Sequence, residues 1–320
     1  MRPATAGSRA SSASSAARAT SPTAAASGPS CTRNTGTWNA RPDGPCSPAS
    51  RWPTAPPPAR SSAPDGPPME TPNVEDLVRR GAVFYVAHSG GKDSQAMYAR
   101  VRRCVPHERI VVVHADLGRV EWEGVHDHIR ATIAHELHVV RAGKTFFDLV
   151  RHRARTYPDV PAFPGAGRRQ CTSDLKRNPI QKFIRGDMKT RGATLAVNCI
   201  GLRAEESSSR SRRPVWSLSK RLTNSRRTVY EWLPIRQLTT TEVFNEIRRA
   251  GQQPFRAYAA GNRRLSCVFC IFGCAGDIAN GRRERPELYE EYRDLERETG
   301  WTLFPGESLA ERAAAGEKER

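Results

Sequence analysis

Apolar positions along the chain fall into short β-branched runs separated by stretches of helical period. Residues 82–87 (Ala-Val-Phe-Tyr-Val-Ala), 109–114 and 194–200 are nearly continuous apolar runs, the pattern of buried strands. A weaker run at 138–141 predicts a further strand. Helical spacing covers 74–80 (stopped by Gly81), 94–104, 120–137, 145–156 and 173–189, with Pro179 expected to kink or restart the last. Strands alternating with helices imply right-handed crossovers and a mostly parallel sheet flanked by helices, an α/β fold. Ligands bind such sheets beyond the carboxyl ends of the strands. The loops after Ala87, His114 and Ile200 are therefore expected to meet at one rim. Beyond residue 214 the pattern changes to a basic stretch with short strands, a helix at 240–250 and a cysteine cluster. Residues 285–300 read as a charged helix with little apolar face, open to solvent or to a partner.

Residues 1–68 do not share this pattern. They hold 13 of the 24 prolines, no lysine, and seven arginines against two aspartates. Such a segment buries too little apolar surface to offset its ordering entropy, which predicts a disordered low-complexity tail. Its Arg/Ser/Ala-rich composition also suits an organelle transit peptide, although the prolines break any amphipathic helix. A third reading starts translation at Met69. The expected division is then a tail (1–68), a nucleotide-binding domain (69–213) and a C-terminal portion with the cysteine cluster and charged helix (214–320).

Charge and cysteine usage narrow the class. The chain carries 51 Lys+Arg against 33 Asp+Glu, a net charge of +18, of which +13 lies outside the tail. That excess suits nucleic acid and equally suits nucleotides or sulfate. No apolar run approaches the roughly 18 residues of a membrane-spanning helix, and no period supports a collagen, coiled-coil or repeat architecture. Cys31 and Cys46 lie in the tail, leaving Cys104, Cys171, Cys199, Cys267, Cys270 and Cys274. Without a secretory signal, clustered cysteines point to metal or redox chemistry in a cytoplasmic protein.

The most informative segment is Ser89-Gly90-Gly91-Lys92-Asp93-Ser94, between a strand and a helix. Two glycines admit close backbone approach, and free N–H groups, two hydroxyls and a lysine all donate. Together they form an anion cradle sized for pyrophosphate. The common nucleoside-triphosphate loop, GxxxxGK[ST], is absent: Val86 stands at its first glycine and Asp93 follows the lysine. Cys267-x2-Cys270, with Cys274 four positions on, can place thiolates on one cation, and the distant Cys171 falls in a loop able to join them. Three or four thiolates suit a [4Fe–4S] cluster or structural zinc. Lys176 lies five positions after Cys171, more than one α-helical turn away, so the two are not expected to share a tight site unless the helix starts at or after the cysteine. Cys199 and Cys104 read as packing residues. His126, His128, His135 and His138 read as surface or core residues, because no carboxylate set accompanies them.

Ser-Gly-Gly-Lys-Asp-Ser resembles the SGGxDS loop of the PP-loop (N-type) ATP pyrophosphatases and their phosphoadenosine phosphosulfate (PAPS) reductase-like relatives. Further elements are similar to that branch: His114-Ala115-Asp116-Leu117-Gly118, Cys171-x4-Lys176-x2-Pro179, Gly201-Leu-Arg203-Ala-Glu205-Glu206-Ser207 with Arg210, and Cys267-x2-Cys270. The resemblance covers about 82–275 and implies an adenine nucleotide alpha hydrolase-like fold with Mg-ATP bound across the strand ends. It implies phosphate contacts from Ser89, Gly90, Gly91, Lys92 and Ser94, with Asp93 holding Mg2+ or orienting the loop. Gly201, Arg203 and Arg210 would complete the nucleotide site, with Lys92, Asp93, Arg203 and Arg210 carrying catalysis. Glu205 or Glu206 is a further magnesium candidate. Asp116 either reaches nucleotide or metal or simply caps its strand.

An intact loop, which sulfonucleotide reductases generally lack, is similar to members that split ATP into AMP and pyrophosphate before sulfur transfer. The expected activity is therefore adenylation of a substrate for sulfur transfer, with a nucleic acid or sulfur carrier as acceptor and a protein donating sulfur or electrons. A PAPS or APS reductase releasing sulfite and a non-catalytic nucleotide- or nucleic-acid-binding protein are the alternatives. The basic stretch Arg210, Arg212, Arg213, Lys220, Arg221, Arg226 and Arg227, near Trp216 and Tyr230, reads either as a single-strand grip or as a solvated hairpin.

Overall fold

The apolar runs pair side by side as parallel strands, with the helical segments packed on both faces. The structure, a computed structural model, describes residues 72–318; the tail, its cysteines and the Met69 start lie outside them. Six strands, β1 (Val83–Ala87), β2 (Ile110–Asp116), β3 (Leu137–Arg141), β4 (Leu195–Cys199), β5 (Trp216–Leu218) and β6 (Thr228–Trp232), form one sheet of order β3-β2-β1-β4-β6-β5. All neighbours are parallel except β5, antiparallel on the edge, where Trp216 pairs with Trp232. Residues 214–232, grouped from the sequence with the C-terminal portion, thus contribute two strands to the same sheet as the phosphate loop.

Alternation along each strand sorts side chains to two faces. Phe84, Val86, Val112 and Val197 face Leu77 of α1 (Val74–Arg79), Met97 and Val101 of α2 (Lys92–Cys104), and Val243 and Ile247 of a later helix (Thr240–Arg249). Val83, Tyr85, Val111 and Ala196 face Ile184 and Met188 on Asn178–Thr190. The remaining helices in chain order are α3 (Val125–Thr132), α4 (Phe146–Thr156), α5 (Asn178–Thr190), α6 (Ser208–Ser211), α7 (Thr240–Arg249), α8 (Arg256–Ala259), α9 (Ala275–Glu284), α10 (Pro286–Thr299) and α11 (Leu309–Lys318). Among the described residues no helix is long and apolar enough to cross a membrane.

Two expectations need correction. The helix expected over 120–137 is only α3: Gly124 enters it in the left-handed conformation, φ 79°, and Ile133 leaves it extended. Trp122 sits in the preceding loop and is buried among α3, α4 and α10 side chains. Helix α10 has a real apolar face, for Leu288, Tyr289, Tyr292 and Leu295 are all at most 4% exposed. Their i, i+1, i+4, i+7 spacing is a narrow stripe, and two of its members are tyrosines, whose rings carry large apolar area under a polar tip. Tyr292 sits between Phe146, Phe147 and Phe269, with ring centroids 5.3, 5.1 and 5.2 Å away.

For Cys171 and Lys176 the expected exception applies, because the helical segment starts at the cysteine. Residues Cys171–Arg177 form a π-helix, and Pro179 starts the α-helix that continues it. A π-turn brings i and i+5 onto one face, whereas an α-helix would set them more than a turn apart. The Cys171 thiol and the Lys176 ammonium consequently act on each other electrostatically.

Candidate functional site at the strand ends

Because β1, β2 and β4 run parallel, their carboxyl ends share one rim, and the loops there touch. The phosphate loop leaves β1 at Ala87 and enters α2 at Lys92. Gly90 takes φ 75°, which a side chain disfavours. The Ser94 hydroxyl accepts the Ser89 N–H at 3.1 Å and donates to the Gly91 carbonyl at 2.8 Å, so the turn is closed before any ligand arrives. Behind it, His88 is buried and its Nδ1 accepts the Gly90 N–H at 3.1 Å. Burial, with His114 and His128 nearby, lowers the His88 imidazole pKa to about 3. From the C-terminal portion, the Tyr258 hydroxyl accepts the Lys92 N–H at 3.0 Å.

Asp93 and Arg203 join this loop to the segment after β4. Lys92 Nζ donates to Asp93 Oδ2 at 3.0 Å, and Arg203 Nε donates to Asp93 Oδ1 at 2.6 Å. Arg203, only 4% exposed, also pairs with Glu205. Burial alone would weaken its charge, but Asp93 and the neighbouring glutamates hold its pKa above the ordinary arginine value. Glu206 Oε2 accepts the Arg203 N–H at 2.9 Å, and the same residue pairs with Arg210. Gly201 is where the two segments come closest: a Cβ there would lie 3.2 Å from the Asp93 carbonyl oxygen and 3.4 Å from Ser94 N. We expect Gly201→Ala to weaken nucleotide binding about tenfold by displacing the loop. Its denaturant midpoint should stay within about 1 kcal/mol of wild type. Parallel titration calorimetry and urea melts would check both halves.

A cleft of about 950 Å³ opens at the same rim, reaching the strand ends at Ala87, Asn198, Ile200 and Leu202. Arg168, Arg169, Lys176, Arg177, Arg210, Arg213, Arg221 and Arg264 line it, with Glu206 and Glu231 as its carboxylates. Both carboxylates are already paired, Glu231 with Arg213 at 2.6 Å and Glu206 with Arg210. The excess of guanidinium forks suits phosphate or sulfate. Of the expected nucleotide residues, Arg210 lines this cleft directly. Arg168 and Arg169 went unremarked in the sequence, although they form a doublet just before Cys171, while Arg264 opens the Arg264-Leu-Ser-Cys267-Val-Phe-Cys270 segment of the cysteine element. The basic stretch is the β5–β6 hairpin, with Trp216 stacked on Trp232 at 5.0 Å.

Asp116 ends β2 as a capped carboxylate: Oδ1 accepts the Gly118 N–H at 2.6 Å and Oδ2 accepts Arg141 Nε at 3.0 Å. Burial would raise its pKa, but these two partners outweigh it and hold the carboxyl below its usual range. The cysteines separate into two groups. Cys171, Cys267 and Cys270 act on one another, on Lys176 and on Tyr292. Burial pushes the Cys267 thiol up to about 12 despite the nearby Lys176. For Lys176, burial works against the charge, but Cys267, Cys270, Glu121 and Cys171 prevail and its pKa rises. Cys274 caps α9, its Sγ accepting the Asp277 N–H at 3.4 Å. Cys199 is buried in the core and Cys104 is exposed.

These thiols can be weighed against two metal groups. Tetrahedral zinc with bonds of about 2.3 Å needs sulfurs roughly 3.8 Å apart. Among the described residues no three cysteine sulfurs lie within 4.8 Å of one another. Cys171, Cys267 and Cys270 are donors of the kind that a four-iron cluster takes, each thiolate on its own iron. The Tyr292 hydroxyl, buried beside these thiols with no hydrogen-bond partner among the described residues, is a donor such a cluster would satisfy. For magnesium the rim offers Asp93, Glu205 and Glu206, which pair with Lys92, Arg203, Arg210 and Thr240.

No curated protein matches the chain. Solved structures that resemble it include PAPS reductase from Candida auris in a phosphate complex, at 14% identity over 61% of this chain and 88% of that one, TM-score 0.37. Another is FMN adenylyltransferase from Candida glabrata with FAD and inorganic pyrophosphate, at 12% identity, 59% and 55% coverage, TM-score 0.33. A 4-thiouridine synthetase–RNA complex with bound ATP aligns at 16% identity, with 69% and 54% coverage and TM-score 0.31. This chain thus spans little more than half the length of the last two. The phosphoadenosine phosphosulfate reductase domain model matches residues 84–272, more than half of the sequence and every rim element described above, and the chain belongs to that family.

Proposed function

We propose that the protein binds Mg-ATP through the Ser89–Ser94 loop and cleaves it to AMP and pyrophosphate, activating a substrate for sulfur transfer. The observation that carries this reading is the intact loop at the end of β1, closed by Ser94 and tied through Asp93 to Arg203. Magnesium would arrive with the substrate, carried on its phosphates. Lys92, the loop N–H groups and the Ser89 hydroxyl would hold the β- and γ-phosphates. Arg210 and the other cleft arginines would neutralise charge developing as the α-phosphate is attacked, the kind of preorganised stabilisation that supplies most of such catalysis. Asp93 is a positioning residue that keeps Lys92 and Arg203 aimed across the loop. An iron–sulfur cluster on Cys171, Cys267 and Cys270 would supply electron transfer or sulfur activation beside the cleft. The acceptor is an anionic molecule, with nucleic acid favoured by the basic β5–β6 hairpin.

The test is a titration of the full chain, purified without oxygen, with Mg-ATP and separately with PAPS. The expected outcome is ATP binding that Lys92→Ala weakens about 10–100-fold, the worth of one charge-assisted hydrogen bond, and AMP with pyrophosphate as products. Preference for PAPS with sulfite release would make the protein a reductase and overturn the proposal. So would binding of neither nucleotide by folded protein.

A further inference from the structure

His114, Glu121 and His126 converge at the end of β2, although they come from three different elements. The His114 side chain is 1% exposed. Its Nδ1 lies 2.8 Å from the His88 carbonyl oxygen, which can only accept, so Nδ1 carries the proton. Its Nε2 then turns a lone pair toward Glu121 Oε2 at 3.1 Å. Two acceptors facing each other in a buried place need something positive between them. His126 Nε2 lies 3.8 Å from the same carboxylate oxygen. The three donor atoms all fall within 4.8 Å of one another. A proton would satisfy only one imidazole nitrogen of this group, whereas a metal ion would satisfy all three donors.

We propose that His114, Glu121 and His126 form a binding site for a zinc-type divalent ion, separate from the cysteine cluster and from the nucleotide. Bonds of about 2.0–2.1 Å in a tetrahedron put donors roughly 3.3 Å apart, close to the 3.1 and 3.8 Å seen here. The His114 and His126 rings stand at 78° with centroids 4.9 Å apart, leaving room for both nitrogens on one ion. Two imidazoles and one carboxylate suit zinc or a neighbouring transition ion, while magnesium and calcium prefer all-oxygen shells. The His88 carbonyl fixes the His114 tautomer, as outer partners of metal-bound histidines generally do. Asp116 lies 3.9 Å from His126 Nε2, but Gly118 and Arg141 already occupy it. The fourth position is therefore open to water or an anion, and His126, with its side chain 34% exposed, gives access. Three protein ligands with one open position is the arrangement of reactive rather than structural zinc. The site adjoins both chemistries of the rim, through His88 to the phosphate loop and through Glu121 to Lys176 and Cys267.

The experiment is cobalt titration of the chelator-treated full chain, followed by displacement with zinc. One equivalent of Co2+ should give visible d–d absorption that zinc bleaches. The same band should persist in Cys267→Ser/Cys270→Ser, which lacks two of the thiolates that could otherwise bind cobalt. His126→Ala, at a partly exposed position, should weaken the cobalt affinity at least about tenfold while keeping the wild-type circular dichroism. X-ray absorption on the zinc-loaded cysteine variant should show two imidazoles and an oxygen donor. An unchanged cobalt spectrum and affinity in His126→Ala would overturn the proposal, as would no uptake in the cysteine variant. The group would then be a proton-bridged His114–Glu121 pair. Neither result depends on whether ATP is cleaved.

Discussion

Arg203→Ala should be among the most damaging single changes in this protein. The guanidinium is buried and holds Asp93 through Nε at 2.6 Å, while its other arm reaches Glu205 and the Leu238 carbonyl at 3.4 Å. Removing one partner of a buried pair leaves the other charge uncompensated, at about 3–5 kcal/mol for full burial. Asp93 is partly open, with its side chain 23% exposed, so the lower end, about 3 kcal/mol, is expected. Glu205 is exposed and adds little. A urea melt with unchanged slope and a lowered midpoint would read this directly. Nucleotide affinity should fall as well, because Asp93 would be held by Lys92 alone. Arg203→Lys should recover the charge without the fork and fall between the two. A midpoint within 1 kcal/mol of wild type in the alanine variant would show that the Asp93 pairing is not structural.

Tyr292→Ala should cost a comparable amount for a different reason. The ring is fully buried and packs on Phe146, Phe147 and Phe269. Truncating an aromatic in such a place removes transfer energy and leaves a cavity, together about 3–5 kcal/mol. Tyr292→Phe keeps the volume and removes a hydroxyl that has no partner among the described residues, so its stability should match or exceed wild type. The two substitutions separate packing from polarity. If a cluster sits on Cys171, Cys267 and Cys270, the phenylalanine variant should lose iron faster on exposure to air at unchanged melting temperature, because only the hydroxyl has gone. Equal destabilisation by both variants would sink this account of α10.

What could be read before the structure follows from where each signal resides. Strands β1, β2 and β4 are continuous apolar runs, so local composition revealed them, and the phosphate loop carries its chemistry in six adjacent residues. Gly90 and Ser94 needed no distant partner to be recognised. The α10 stripe was missed because its buried face rests on two tyrosines among glutamates and arginines, and only Phe146, Phe147 and Phe269 disclose it. The histidines were set aside for lack of a nearby carboxylate. Glu121 supplies one from a loop beside His126, while His114 comes from a strand, a juxtaposition with no helical spacing to betray it. Arg168, Arg169 and Arg264 become a cleft wall only when the π-helical segment and the loop carrying Arg264 and Cys267 meet. In each case the missing information was tertiary.

The π-helical turn has a consequence for how the Cys171-x4-Lys176 spacing itself should be understood. Each residue of an α-helix advances about 100° around the axis, so positions three or four apart share a side and positions five apart do not. The wider turn here absorbs one extra residue and restores the shared side. Shortening Cys171–Lys176 by a single residue would leave the count right for an ordinary α-helix, and the wide turn would lose its reason to form. Lengthening it by one would put the thiol and the ammonium out of phase in either geometry. Four intervening residues are thus a gauge of backbone type, and the distance along the chain records a turn that no individual side chain in the motif announces.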